Sequence, residues 1–480
     1  MRTYKILSLS VVILLIAVVF VGVVPAAAQY DTMQYRYNAQ HSGDYSPVAG
    51  PVPSNGQLKW SYTTGSYVSA SPAVANGVVY VGGDDNNVYA LYANNGTKLW
   101  SFATGQGFYS SPAVANGIVY VGGWDGSLYA LYANNGTKLW SFPMGSYVHS
   151  SPAVANGIVY VGSLDDNVYA LYANNGTKLW SFPTSGYVYS SPAVANGVVY
   201  VGSWDKDIYA LYANNGTKLW SFATNGVVDS SPAVANGVVY VGSMYPDQNL
   251  YALYANNGTK LWSFATGYEV SSSPAVVNGV VYVGSDDKNV YALYANDGTK
   301  LWSFPTNGVV ESSPAVANGV VYVGSDDNNV YALYAGNGAV IWNYTTGGSV
   351  SASPAVANGV VYVGSQDHNL YALGTTPTTL TATASATNVA VNQKFTVSGT
   401  LKTTNAPVTP VTGQPAYLEA SNDGATWFRI SANKNTASTG AYSFTGYISQ
   451  SGTYYLRAHF DGTTTYAASV STPPITVTVS

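Results

Sequence analysis

The sequence predicts an all-β protein, an eight-bladed β-propeller followed by a smaller β-sandwich, and three observations lead to this prediction. A unit of 40 residues recurs eight times between Gly56 and Leu373, and such a period is typical of supersecondary units that must stack to bury their apolar faces. Each unit contains four short apolar runs separated by turn residues. Beyond residue 374 the repeat ends, and short runs alternate between apolar and polar residues.

Each copy of the repeat carries the marker Ser-Pro-Ala-Val at its first strand. The step between markers is 40 residues except once, where two extra residues near positions 244–246 make it 42. The marker prolines are Pro72, Pro112, Pro152, Pro192, Pro232, Pro274, Pro314 and Pro354.

One copy of the repeat reads as a four-stranded antiparallel meander. Asn76-Gly77 lies between two apolar runs and predicts a tight hairpin, because a type I′ turn needs positive φ at both central residues. The second and third runs are apolar at consecutive positions, which indicates strands covered on both faces. Blades stacked around an axis cover their strands in this way. The predicted strands of the first copy are residues 71–75, 78–81, 88–93 and 98–102.

The two ends of the array predict a closed ring. A fourth-strand tryptophan, Trp60, comes before the first marker, and only three strands follow the last marker at Pro354. We therefore expect residues 58–62 to complete the last blade, which removes both sheet edges. An open solenoid or a sandwich is the alternative, but a solenoid needs atypical end repeats, and the end copies are ordinary. The tryptophans predicted to pack between blades are Trp60, Trp100, Trp140, Trp180, Trp220, Trp262, Trp302 and Trp342.

An eleven-residue segment that ends at Trp100 resembles the tryptophan-docking motif of the quinoprotein (PQQ-like) propeller repeat, Ala-x-Asp-x-x-Thr-Gly-Lys-x-x-Trp. Ala90, Gly96 and Trp100 match this motif, whereas Tyr92 replaces its aspartate. Residues 35–43 also resemble the segment that precedes the propeller in secreted members of this superfamily. The resemblance implies the fold but no particular chemistry, because the family includes quinone-dependent dehydrogenases, outer-membrane assembly scaffolds and proteins of unassigned role.

Further segments flank the propeller. Basic residues, an apolar stretch and then Pro25-Ala-Ala-Ala28 predict a secretory signal, with a retained anchor as the alternative because the stretch could span a bilayer. The C-terminal part has about seven short alternating strands, which predict an immunoglobulin-like (Ig-like) sandwich resembling those of prokaryotic surface proteins. The predicted segments are a signal at 1–28, a lead-in at 29–56, the propeller at 57–374, a linker at 375–379 and the sandwich at 380–480.

The composition excludes several classes of function. Charged residues make up only 8% of the chain and the net charge is −5, so we expect neither a nucleic-acid-binding surface nor a basic membrane-binding patch. Membrane contact is expected only through an uncleaved N-terminal segment. The chain contains no cysteine, which removes disulfides and thiolate chemistry. Eight copies of one unit also place like groups around a ring, whereas an enzyme needs unlike groups at one point.

The copies differ mainly on one rim of the predicted ring. There, the loops between fourth and first strands and between second and third strands carry aromatic and acidic residues, a mixture that favours sugar or protein binding. Drift of loops under little constraint is the alternative explanation. The candidate ligand-binding residues on this rim are Tyr109, Trp124, His149, Tyr189, Trp204, Asp229 and Glu311.

Two recurring turn features have both a structural and a chemical interpretation. An aspartate stands in or near the second-to-third turn of every blade. Calcium binding is one interpretation, but aspartate caps such turns and no EF-hand-like spacing occurs, so we expect no metal. Asn-Gly-Thr in the third-to-fourth turn is either a glycosylation sequon or a hairpin turn, and blade six keeps the turn with Asp297. The candidate glycosylation sites are Asn95, Asn135, Asn175, Asn215, Asn257 and Asn343.

These features predict a non-catalytic secreted or cell-surface protein that binds envelope proteins or glycans, as an adhesin or envelope component. We expect no catalytic residue and no cofactor. A PQQ-dependent dehydrogenase is an alternative, although its calcium ligands, vicinal cysteine pair and roofing insertion have no counterpart in the sequence. An envelope assembly scaffold that binds peptides by strand addition is a further alternative.

Overall fold

A computed structural model describes residues 32–33, 37–46, 56–375, 378–403, 408–463, 466 and 469–480. Every regular element within these ranges is a β-strand, and they include no helix long and apolar enough to cross a membrane. The predicted signal at residues 1–28 and most of the predicted lead-in lie outside the described residues.

The repeats form eight four-stranded antiparallel blades, which confirms the predicted eight-bladed propeller. Thr32–Met33 adds a fifth strand to the sheet of blade 2, because it pairs antiparallel with Ala113–Ala115. The first strands are Ala73–Ala75, Ala113–Ala115, Ala153–Ala155, Ala193–Ala195, Ala233–Ala235, Ala275–Val277, Ala315–Ala317 and Ala355–Ala357. The second strands are Val78–Gly82, Ile118–Gly122, Ile158–Ser163, Val198–Gly202, Val238–Gly242, Val280–Ser285, Val320–Gly324 and Val360–Gly364. The third strands are Asn87–Tyr92, Ser127–Tyr132, Asn167–Tyr172, Asp207–Tyr212, Asn249–Tyr254, Asn289–Tyr294, Asn329–Tyr334 and Asn369–Gly374. The fourth strands are Lys98–Ala103, Lys138–Pro143, Lys178–Pro183, Lys218–Ala223, Lys260–Ala265, Lys300–Pro305, Val340–Thr345 and, for blade 8, Leu58–Thr63.

The ring closes as the sequence predicts. Leu58–Thr63 pairs antiparallel with Asn369–Gly374, and Trp60 stands opposite Ala372. The first strand of each blade contacts the first strands of both neighbouring blades, including the last and the first. First strands are therefore the innermost strands around the axis, and fourth strands are the outermost.

The first strands are shorter than the sequence predicts. The apolar run begins at Ser71, but the strand begins at Ala73. Pro72 has no backbone N–H, and the N–H of Ser71 donates to the Oγ atom of Ser111 in the next blade at 3.0 Å. Neither residue therefore contributes to the ladder within the blade.

Tryptophan docking holds neighbouring blades together. The indole N–H of Trp140 in blade 2 donates to the carbonyl of Ala173 in blade 3 at 3.0 Å. Its ring lies on Gly176, where an added Cβ would fall 2.7 Å from the ring atoms. The same approach joins Trp342 of blade 7 to Gly56, next to the strand that completes blade 8. Only glycine fits at these positions, because the indole ring lies too close to leave room for a Cβ atom, and in turns such as that of Gly176 the backbone also has a positive φ.

A closed belt of hydrogen bonds surrounds the axis, and we call it the serine girdle. In each blade the backbone N–H of the serine before the marker proline donates to the Oγ atom of the equivalent serine in the next blade, at 2.9–3.0 Å. The last bond, from Ser353 to Ser71, joins blade 8 to blade 1. The girdle consists of Ser71, Ser111, Ser151, Ser191, Ser231, Ser273, Ser313 and Ser353.

Residues 37–46 of the lead-in segment lie at the axis. Its carbonyl groups accept hydrogen bonds from the central valine N–H of four successive first strands, in blades 4 to 7. The bonds run from Val194 to Ala39, from Val234 to Gln40, from Val276 to Ser42 and from Val316 to Gly43, at 2.5, 3.0, 2.8 and 2.8 Å. His41 is fully buried within this segment. Since first strands are innermost, the lead-in occupies the centre of the ring.

The C-terminal part forms two sheets around a separate apolar core. Thr378–Leu380, Thr383–Ala384 and Ala441–Gly446 pair with Phe395–Thr403 in the smaller sheet. The larger sheet contains Asn388–Val389, Pro415–Ser421, Phe428–Arg429, Lys434–Asn435, Gly452–Phe460, Ser469–Val470 and Ile475–Val479. Residues 378 and 379 of the predicted linker thus belong to a strand, because their backbone pairs with Lys402 and Thr403. The region is strand-rich as predicted, and its Ig-like topology stays a prediction.

Candidate functional site

The rim with the variable loops, here called the variable rim, is built by two loops of each blade that are tied together. In blade 2 the N–H of Trp124, in the second-to-third loop, donates to the carbonyl of Gly107, in the loop that leads into the first strand, at 3.0 Å. Blade 4 repeats the bond between Trp204 and Tyr187 at 2.9 Å. The side chains that the sequence singled out are therefore carried on adjacent backbone segments.

Aromatic side chains of blades 2 to 4 form a continuous arc on this rim. Tyr109 stacks on Trp124 with ring centroids 4.1 Å apart and an interplanar angle of 15°. The Tyr109 ring lies 5.3 Å from His149, which lies 5.0 Å from Tyr189. Tyr189 in turn stacks on Trp204 at 4.6 Å. Five of the seven predicted rim residues are thus in one array of touching rings.

Two tyrosines that the sequence analysis missed extend this array outward. Tyr147 stacks on Trp124 at 5.5 Å, and Tyr187 lies 5.7 Å from Trp204. Both are about half exposed, at 49% and 45%. Their signal in the sequence is a tyrosine two residues before the variable position. We call these seven residues the aromatic arc: Tyr109, Trp124, Tyr147, His149, Tyr187, Tyr189 and Trp204.

The imidazole within the aromatic arc is uncharged at neutral pH. Burial lowers the pKa of His149 to about 4, because the stacked rings replace the water that would stabilise an imidazolium ion. His149 therefore contributes a flat, neutral ring to the arc.

Carboxyl groups of blades 5 to 7 form a second arc on the same rim, the acidic arc, which consists of Asp229, Glu269, Asp286, Glu311 and Asp326. Burial raises the pKa of Asp229 to about 6, and the negative charges of Glu269 and Asp286 raise it further. A hydrogen bond from the Trp204 side chain acts in the opposite direction. Burial, followed by the charges of Asp326, Asp286 and Asp229, raises the pKa of Glu311 to about 7. Desolvation is the main cause of both upward shifts, and repulsion between the neighbouring carboxylates adds to it.

The two arcs meet at one end, where Trp204 of the aromatic arc hydrogen-bonds Asp229 of the acidic arc. At its other end the aromatic arc reaches a further carboxyl group, because Tyr109 hydrogen-bonds Asp84 of blade 1, and burial raises the pKa of that carboxyl. The variable rim therefore brings unlike groups together, although its blades are copies of one unit. All seven predicted rim residues lie in these two arcs.

The turn aspartates, by contrast, are engaged in local hydrogen bonds. Asp165 accepts from the backbone N–H of Gly145 at 2.9 Å, from that of Asn167 at 3.2 Å and from the Tyr169 hydroxyl at 2.6 Å. Burial works against ionisation of the equivalent Asp367, but hydrogen bonds of this kind hold its pKa below the usual value. This arrangement favours the capping interpretation. In the described part of the chain, no three or more His, Asp or Glu residues are placed to hold a metal ion.

The candidate glycosylation sites lie in the third-to-fourth turns of the opposite rim, except Asn343, which lies in a fourth strand. The Oδ1 atom of Asn135 accepts from the Thr137 backbone N–H at 3.0 Å, which shapes the turn. Asp297 makes the same bond to Thr299 at 2.9 Å. The turn geometry thus accounts for the pattern, and glycan occupancy stays a prediction.

Comparison with known proteins identifies the repeat. The family model described as "Outer membrane protein assembly factor BamB" matches residues 48–151, 125–244, 205–309 and 290–381. The chain belongs to this family. No curated protein sequence matches the chain.

Solved structures similar to the chain share its propeller at low sequence identity. The computationally designed Ika8 protein is 18% identical, with a TM-score of 0.60, and the match covers 68% of this chain and 100% of Ika8. BamB from Moraxella catarrhalis is 20% identical, with a TM-score of 0.57 and coverage of 66% and 97%. Quinohemoprotein alcohol dehydrogenase from Comamonas testosteroni is 16% identical, with a TM-score of 0.61 and coverage of 73% and 81%. At these identities the likeness shows the fold alone.

Proposed function

We propose that the protein is a non-catalytic, exported binding protein of the cell envelope, and that its ligand is held between the two arcs of the variable rim. The observation that carries this proposal is the meeting of a continuous aromatic arc with an acidic arc on one rim of the propeller. Export is supported by the N-terminal signal pattern, and an envelope role is supported by the BamB family match.

The chemistry of the two arcs defines the ligand that would fit. Stacked rings offer flat apolar faces to a sugar ring or to an apolar side chain. The carboxyl groups of the acidic arc accept hydrogen bonds and, when ionised, attract amino groups. The best ligand is therefore an envelope glycan or protein segment that presents a flat face beside hydrogen-bond donors or a positive charge.

The dehydrogenase alternative fits these residues poorly. Pyrroloquinoline quinone carries several carboxylates, and the carboxyl groups of the acidic arc would repel it. The chain also lacks the vicinal cysteine pair. The described residues of the two arcs therefore do not suit this cofactor, and we derive no step through it.

A scaffold that binds by strand addition is the second candidate, and the exposed outer strands favour it. Fourth strands such as Lys178–Pro183 are exposed or partly exposed, with Trp180 as the one buried residue in that strand, and they leave one edge unpaired within their blade. An extended peptide can add to such an edge. Hydrogen exchange in the presence of a bound envelope protein separates the candidates, because protection would fall on fourth strands in this case and on the variable rim in the first.

The rim proposal is tested with the full chain on a glycan array and in co-purification from detergent-solubilised envelopes. The variant Trp124→Ala/Trp204→Ala should lose at least tenfold in affinity for the retained ligand, since aromatic anchors at binding sites are worth about 2 kcal/mol or more each. Tyr67→Ala is the control. Tyr67 lies on the same rim and is about as exposed as Tyr147 and Tyr187, but its ring packs on His368, outside both arcs. Equal affinities of the wild type and the double variant would show that the aromatic arc does not bind the ligand.

A further inference from the structure

The rim opposite the variable rim, here called the constant rim, carries a row of exposed tyrosines. The third strand of every blade from 1 to 7 ends in tyrosine, while the residues before it are buried. Their exposed fractions range from 42% to 53%, so these rings contribute little to the core. In blade 8 the position is occupied by Gly374. The seven residues are Tyr92, Tyr132, Tyr172, Tyr212, Tyr254, Tyr294 and Tyr334.

An open cleft lies between two neighbouring tyrosines of this row, Tyr172 in blade 3 and Tyr212 in blade 4, and its volume is about 530 Å³. Ile158 and Leu179 give it an apolar lining, and Asn156 and Asn214 are among its remaining lining residues. Both asparagines are exposed. The volume falls within the range of about 300–1,000 Å³ that is usual for small-ligand sites.

The lining of the cleft points to one class of ligand. No lining residue is charged, so recognition does not depend on ion pairs. Two tyrosine rings and aliphatic side chains suit the apolar face of a pyranose ring, and asparagine amides both donate to and accept from hydroxyl groups. A neutral sugar ring combines these features.

The residue types that line this cleft recur around the rim. The seven tyrosines form six neighbouring pairs, and the turns between them keep the sequences Asn-Gly and Asn-Asn-Gly with few changes. Several weak sites on one rigid ring bind a repeating polymer far more tightly than one unit of it, by about 10²–10⁴-fold where the spacing allows simultaneous contact. We propose that the constant rim is a multivalent binding surface for neutral polysaccharides, with one sugar ring held in each cleft between blades.

The proposal concerns a surface separate from the variable rim, so it is tested with separate variants. Binding of the full chain to soluble neutral glucan, mannan and galactan is measured by affinity electrophoresis and calorimetry. Wild type should bind at least one polymer, with the matching monosaccharide at least a hundredfold weaker. Tyr172→Ala should weaken polymer binding severalfold, and the combined alanine variant at Tyr132, Tyr172, Tyr212 and Tyr254 should weaken it a hundredfold or more.

Three controls keep the result interpretable. Tyr172→Phe keeps the stacking ring and should retain most of the binding. Tyr67→Ala on the other rim should bind like wild type, and unchanged thermal unfolding of the combined variant shows that the ring is intact. The proposal is overturned if no polymer binds, if binding survives the combined variant, or if the variant only converts an oligomer to a monomer. The last result would mean that a second copy of the chain covers the constant rim.

Discussion

The interface between blades can be tested with one added methyl group. Gly176→Ala places a Cβ 2.7 Å from the Cδ2 and Cε3 atoms of Trp140, so the indole or the turn must move. The substitution should destabilise the fold by about 1–2 kcal/mol through the left-handed backbone, whose φ is +71°. Overpacking against the indole adds about 1–3 kcal/mol.

Gly157→Ala is the matched control for this prediction. Gly157 has a φ of +76°, but an added Cβ there meets no atom within 4 Å. It should therefore show the backbone cost alone, and the difference between the two variants should be about 1–3 kcal/mol. Equilibrium unfolding in guanidinium, followed by tryptophan fluorescence, measures both. Equal losses for the two variants would show that the glycine is not required for docking of the indole.

Three further predictions follow from the girdle and the rim. Ser151→Ala leaves the buried N–H of Ser111 without its acceptor and should lower the free energy of unfolding by about 1–3 kcal/mol. The control Ser181→Ala, on an exposed edge strand, should change it by less than about 0.5 kcal/mol. Chemical denaturation measures both. Burial raises the pKa of Asp229 to about 6. The unfolded chain therefore releases this proton at a lower pH than the folded protein, and the free energy of unfolding should fall as pH rises from 4 through 6. In Asp229→Asn the melting temperature should depend less on pH over this range. Burial lowers the pKa of His149 to about 4. The unfolded chain therefore takes up a proton more readily than the folded protein, and the free energy of unfolding should fall as pH drops from 6.5 towards 4. Thermal unfolding measured at several pH values should show this loss in the wild type and not in His149→Phe.

The sequence repeat predicted the parts of the fold that recur in every blade or that depend on residues close together in the sequence. The eight markers predicted the number of blades, and the position of Trp60 before the first marker predicted which strand closes the ring. Asn76-Gly77 predicted the hairpin, and both residues have positive φ as that turn requires. These features are local, or they repeat, so a single sequence shows them.

The serine girdle and the axial lead-in could not be read from the sequence. Ser71 and Ser111 are 40 residues apart, and nothing in a Ser-Pro pair distinguishes a girdle residue from an ordinary loop residue. Residues 37–46 carry no strand pattern, because their carbonyl groups bond to four different blades in turn. Contacts of this kind depend on the closed ring itself.

The rim was predicted only as a set of positions. Comparing the eight copies located Tyr109, His149 and Tyr189 at one place in the repeat, but it could not show that their rings touch. Tyr147 and Tyr187 were missed because they precede the variable position and contact it only after folding.

The division of blade 8 between the two ends of the array has a consequence for biosynthesis. Leu58–Thr63 leaves the ribosome early, but its partner Asn369–Gly374 is made about 300 residues later. During that interval the strand has an unpaired edge that can pair with other chains. A nascent chain stalled before residue 369 would keep the edge open, so premature termination should yield aggregates rather than a seven-bladed product.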